Sequence, residues 1–155
     1  MSQSVHIERE IPQTRYGNGI RSGQLETIYF DTGISQILNV PLERSPPDWG
    51  CQWTTTECAQ KWSVRVHWPG YDVLTRQINV KDHARTPQPV SKHKLGQRVA
   101  KAIQNIMEEL AVTQCKSPEW RVGPDAIRPE DVVLLGLHNI SQGSWQPSLG
   151  LKRRW

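Results

Sequence analysis

The sequence predicts an α+β domain: an antiparallel sheet of roughly five strands, built from β-hairpins, with one long helix packed on one face. Three observations carry that expectation. Residues 61–68, KWSVRVHW, alternate polar and apolar side chains, the period of a half-buried strand. Pro69-Gly70 follows, a proline that presets φ at one corner of a turn and a glycine that tolerates positive φ at the next. Leu95, Val99, Ala102, Ile103, Ile106, Met107 and Leu110 recur at helical spacing and form one apolar stripe.

Taken in chain order, residues 1–22 are polar, contain Pro12, Gly17 and Gly19, and predict an irregular or extended arm. Residues 23–155 then form a single domain. Residues 24–30 read as a first strand, with Leu25, Thr27 and Tyr29 opposite Glu26, Ile28 and Phe30. The stretch 34–42 fits a strand or a short helix, and 45–50, SPPDWG, is a turn-rich break. The strand at 61–68 turns at Pro69-Gly70 and returns over 71–80, with Leu74, Ile78 and Val80 on one face. Pro87 and Pro89 lead to the helix, 91–110, for which Ser91 is the N-cap. Residues 129–131 suit a helical turn. The short, partly β-branched run 132–137, VVLLGL, reads as a buried strand, 142–144 as a turn and 145–152 as a last strand.

At 155 residues the chain buries about two-thirds of its unfolded surface and needs neither metal nor disulfide to fold. No apolar run approaches the ~20 residues that span a bilayer, so no membrane partner is expected. The first residues lack the apolar stretch of a secretory leader. Cys51, Cys58 and Cys115 are an odd number, against a disulfide framework and for an intracellular protein, cytoplasmic or nuclear, with free thiols. Asn139-Ile140-Ser141 matches the glycosylation pattern, read as coincidence in that setting.

Net charge is +4, with 19 Lys+Arg against 15 Asp+Glu. The basicity is segregated. No acid occurs from His83 to Met107, which holds Arg85, Lys92, Lys94, Arg98 and Lys101. None occurs from Val132 to the end, which closes on Lys152, Arg153, Arg154 and Trp155. Segregated basicity is the footprint of an anionic partner. Helices favour acids at the start and bases at the end, yet here Lys92, His93, Lys94, Arg98 and Lys101 come first and Glu108 and Glu109 last. A bound anion would offset that reversed order; an ordinary solvated face is the competing explanation. Lys94, Arg98 and Lys101 fall at i, i+4 and i+7, on one outward stripe.

Seven tryptophans supply core bulk in a chain with one phenylalanine, Trp62 and Trp68 first among them. Trp155, beside the basic terminus, is the candidate exposed contact. Cys51 and Cys58 are too widely spaced for a zinc knuckle, and no metal or cofactor is expected. No HExxH, nucleophile elbow, P-loop or dinucleotide motif is present, so no catalytic residue is assigned. Cys58 with His67, or Asp131 with His138, pair as nucleophile and base on paper only.

Trp68-Pro-Gly-Tyr71 resembles the W-x-G-Y of chromodomains over four residues. That family's acidic and W-E-P elements are missing, so a methyl-lysine cage is not expected. Trp68-Pro-Gly-Tyr71, Arg76-Gln-Ile78 and Gly143-Ser-Trp-Gln-Pro147 are together similar to small proteins of mushroom-forming (basidiomycete) fungi. That resemblance implies a lineage and no activity. The leading reading is a non-enzymatic binding domain whose basic helix start and tail engage an anionic macromolecule, nucleic acid being the commonest. The second is a protein-interaction or self-assembly module using exposed tryptophans and a sheet edge, compatible with a homo-oligomer. The third is a small enzyme on an unfamiliar scaffold.

Overall fold

The structure, a computed structural model, describes residues 7–13, 27–39, 61–81, 90, 92–141 and 143–152. In chain order these form β1 (Ile7–Glu10), β2 (Thr27–Gly33), α1 (Ile34–Asn39), β3 (Lys61–Val66), β4 (Leu74–Asn79), α2 (Lys92–Ala111), β5 (Val132–Ser141) and β6 (Ser144–Lys152). Short 3-10 turns at Pro118–Trp120 and Pro129–Asp131 precede β5. The class is α+β, as expected, with one long helix.

Two features depart from the expected sheet: it has six strands and it is mixed. Its order is β2-β5-β6-β3-β4, with β1 also on β6. β2–β5, β5–β6, β3–β4 and β1–β6 are antiparallel. β3 and β6 run parallel, Val64 beside Trp145. The hairpin β3–β4 and the hairpin β5–β6 are each local and legible. Helix α2 and the loop after it return the chain so that β6 runs with β3, a long-range pairing that side-chain alternation does not encode. The sixth strand comes from the N-terminal arm, where Ile7, Arg9 and Glu10 pair with Lys152, Leu151 and Gly150.

β1 and β3 meet the same edge of β6 at different places, β3 near Trp145 and β1 near Leu151. The Gln13 carboxamide fills the gap between them. Its Nε2 donates to the Pro147 carbonyl at 2.6 Å, and its Oε1 accepts from the His67 backbone N–H at 3.0 Å and from Gln146 Nε2 at 3.3 Å. A side chain here does the work of a peptide unit, satisfying backbone groups that the diverging strands leave open. Ile11, buried one step before, donates its backbone N–H to Leu149 O at 2.8 Å. Residues 7–13 of the arm thus join the sheet, and Ile11 the core.

The described helices pack on one face of the sheet. Trp62, Val64 and Val66 of β3 and Trp145, Leu149 and Leu151 of β6 join Leu95, Val99, Ile103, Ile106 and Leu110 of α2 in one apolar cluster. Trp62 and Trp145 stack across the parallel pair, ring centroids 4.1 Å apart at 20°, worth about 1 kcal/mol beyond burial. Two contacts fasten α2 to β4. Arg98 Nη1 donates to Asn79 O at 2.7 Å, and Arg76 Nη2 pairs with Glu109 at 2.6 Å. Gln97 Nε2 ties α2 to α1 through Ile37 O at 3.2 Å.

Trp68-Pro69-Gly70-Tyr71 is a turn closed by Tyr71 N–H on Trp68 O at 3.1 Å, with Gly70 at φ 86°. Positive φ at the residue after proline is the type II geometry that demands glycine. A β-carbon on Gly70 would also fall 2.6 Å from the Ser117 nitrogen and 2.7 Å from Cys115 Sγ. Trp68 Nε1 donates to Trp120 O at 2.7 Å, and Val122 N–H donates to Tyr71 Oη at 3.0 Å. Both aromatic rings are buried, so this motif fastens the 115–122 segment and forms no open aromatic cage.

Candidate functional site

The expected anion-binding residues come to different fates. The backbone of Lys92 opens α2. His93 is 7% exposed, so its ring belongs to the interior and not to a surface patch. Arg98 is half-buried and held by the Asn79 carbonyl. Lys94 is half-exposed, and Lys101 is exposed with Nζ 3.2 Å from Gln104 Oε1. Asn79 also pairs with Lys61 across the β3–β4 hairpin, and Lys61 is exposed. Lys94, Arg98 and Lys101 therefore lie where α2 crosses the end of the hairpin, whereas Lys61 alternates with the core residue Trp62 and so points to the sheet face away from α2.

Lys152 keeps different company: its Nζ lies over Gly33, where a β-carbon would approach it to 2.6 Å. Arg153, Arg154 and Trp155 lie outside the described residues. Trp49, Trp53, Cys51 and Cys58 do as well, while Trp62, Trp68, Trp120 and Trp145 are buried. Cys115 is a free thiol, its Sγ donating to Ser117 O at 3.1 Å. Burial, and next the Cys115 thiol beside it, push the Tyr71 phenol above its usual 10.0, against the lowering effect of the Val122 N–H. Among the described residues no group of three or more His, Cys, Asp or Glu could hold a metal. No helix there is long and apolar enough to cross a membrane.

The opposite face of the sheet carries a second polar cluster that the sequence did not announce. Ile28 and Leu137 pair in the core, so their neighbours Thr27 and His138, also paired, point to the other face. His138 in turn pairs with Gln146 on β6. His138 Nδ1 is 3.1 Å from Thr27 Oγ1, and His138 Nε2 is 3.0 Å from Ser148 Oγ. The imidazole is thus held at both nitrogens by hydroxyls from two flanking strands. If Nδ1 carries the proton, Thr27 accepts it and Nε2 accepts from Ser148. Gly136 lies under the pair: a β-carbon there would stand 3.3 Å from Ser148 Oγ and 3.5 Å from His138 Nε2. A half-open cleft of ≈ 320 Å³ opens beside it, lined by Glu10, Ile11, Pro12, Gln13, His138, Gln146, Pro147 and Ser148.

The Asp131–His138 pairing drawn from the sequence is not what His138 makes. Asp131 instead accepts the Arg128 backbone N–H at 2.9 Å and faces the Arg128 guanidinium, while Cys58 lies outside the described residues. The available signal was the alternation Gly136, His138 on one strand and Gln146, Ser148 on the other, polar or small positions between apolar ones. It marks a face, and only the pairing register reveals which members touch.

No protein-family model, curated protein or solved structure matches the chain. Its function is therefore argued from these two clusters alone.

Proposed function

We propose that the protein is a binding domain that engages an anionic macromolecule, nucleic acid being the commonest, through the basic corner where Lys94, Arg98 and Lys101 of α2 cross the end of the β3–β4 hairpin. The observation that carries this reading is the Arg98–Asn79 contact, which sets the Lys94, Arg98 and Lys101 stripe of α2 at the end of the β3–β4 hairpin. Among the residues of α2, acids enter only at Glu108 and Glu109, and Glu109 is already paired with Arg76 at the far end. Such a surface raises the local concentration of polyanions and steers their approach. Arg98 serves mainly to shape the corner, and Lys101 supplies its exposed charge.

The described aromatic surface lends the protein-interaction reading less support. Tyr29 and Val112 are the exposed large hydrophobic residues there, on β2 and just past α2. The likeness to proteins of mushroom-forming fungi adds no activity to the proposal. Fluorescence anisotropy of a labelled DNA duplex, titrated over a salt series, tests it. We expect log affinity to fall linearly with log salt, with a slope of about 0.9 per phosphate contact. Absent or salt-insensitive binding overturns the reading.

A further inference from the structure

We propose that Ser148 is an acyl-accepting nucleophile activated by His138, and that the adjacent cleft takes a small, uncharged carboxylic ester. Nucleophilic catalysis needs a hydroxyl and a base within hydrogen-bond reach, with the base oriented by a third group. Ser148 Oγ, His138 Nε2 and Thr27 Oγ1 meet that requirement at 3.0 and 3.1 Å. They come from three adjacent strands, β6, β5 and β2, so the geometry is fixed by sheet register rather than by a loop. Gly136 keeps the space beneath the pair clear of a side chain. The cleft, at ≈ 320 Å³, stands at the small end of ligand pockets, about 300–1,000 Å³. Ile11, Pro12 and Pro147 give it apolar wall, and the carboxylate of Glu10 disfavours anionic esters.

As Ser148 Oγ bonds to the ester carbonyl carbon, its proton passes to His138 Nε2, while Nδ1–H stays on Thr27 Oγ1. A tetrahedral intermediate forms. It collapses by breaking the bond to the alcohol oxygen, which leaves with the proton from Nε2. Water then attacks acyl-Ser148, passing a proton to Nε2. That proton returns to Ser148 Oγ as it departs, and the products are one alcohol and one carboxylic acid. Thr27 is a positioning residue in this scheme.

The test mixes the full chain with p-nitrophenyl acetate, follows nitrophenolate release, and maps the acetyl group by peptide mass spectrometry. We expect the acetyl group on Ser148 and its loss in Ser148→Ala. His138→Gln slows acylation about a hundredfold or more, the usual share of a general base. Thr27→Val slows it at saturating ester without moving the half-saturating concentration. Ser148→Cys, which keeps a nucleophile in place, retains acylation, and it decides the matter should Ser148→Ala fail to fold. Acetyl groups confined to lysines, or a rate unchanged in Ser148→Ala or His138→Gln, overturn the proposal. Because none of these residues belongs to the basic corner, duplex binding is unaffected either way.

Discussion

The two faces of the sheet differ in what holds them. On the covered face, Trp62, Val64 and Val66 pack under α2 and join one continuous apolar cluster. On the other, Ser63, Arg65, Gln77 and Ser148 stay partly or fully exposed. Contacts there are specific hydrogen bonds such as Thr27–His138–Ser148. The covered face is stabilised by area removed from water, which depends little on partner identity. The open face is organised by register, where a one-residue slip would scatter its groups. Apolar burial therefore belongs mainly to one face, and the hydrogen-bonded polar cluster to the other.

The sharpest way to break this division is a pair of neighbours on β3. Trp62→Ala should cost about 3–5 kcal/mol, the range for emptying a large aromatic site in a core. Ser63→Ala, one residue on, should stay within about 0.5 kcal/mol. Urea unfolding monitored by circular dichroism measures both, and comparable losses would mean that the faces are not distinct.

Next in size is the seam at Gln13. Gln13→Ala leaves the His67 N–H and Pro147 carbonyl without their partner, a loss of about 1–3 kcal/mol. The effect should appear in the same unfolding curves. A neutral result would detach the N-terminal arm from the core and leave the sheet resting on five strands.

A smaller effect marks the turn that closes the covered face. The Tyr71 phenol is held above 10.0 when folded, chiefly by burial. The unfolded chain thus loses this proton first as pH rises, and binds fewer protons than the native state in that window. Stability must then fall with pH from about 10 up to the raised value. In Tyr71→Phe this component of the alkaline loss should vanish, although Val122 N–H loses its acceptor. Equal alkaline slopes in both proteins would contradict the burial of the phenol.

Legibility followed the same division. Period-two alternation placed the β3–β4 hairpin, and the apolar stripe placed α2, expected over 91–110 and found at Lys92–Ala111. Both are local patterns that report a covered face. The ambiguity at 34–42 resolved as a short helix, Ile34–Asn39, and periodicity over so few residues has no means of deciding it. The arm escaped notice because β1 is short and charged, Ile-Glu-Arg-Glu, and its pairing partner lies at the other end of the chain. Parallel pairing of β3 with β6 escaped for the same reason. The i, i+4, i+7 spacing set Lys94, Arg98 and Lys101 on one stripe of α2, but no local rule shows that His93 turns inward. Nor does one show that the Arg98 guanidinium is spent on a backbone carbonyl. Thr27, His138 and Ser148 are more than 100 residues apart in part, so only the folded sheet could assemble them.

The measurement that bears most directly on the corner compares duplex binding by the wild type with that of the Lys94→Gln, Lys101→Gln variant across salt. Arg98 stays in place, because removing its bond to Asn79 would mix a folding loss into the result. We predict an unchanged unfolding curve, weaker binding, and a log-affinity slope shallower by about 0.9 for each of the phosphate contacts removed. Lys116→Gln, beside the turn at the opposite end of β3, should leave the slope as it was. An unchanged slope in the double variant, or an equal change in the Lys116→Gln control, would contradict the assignment of binding to this corner.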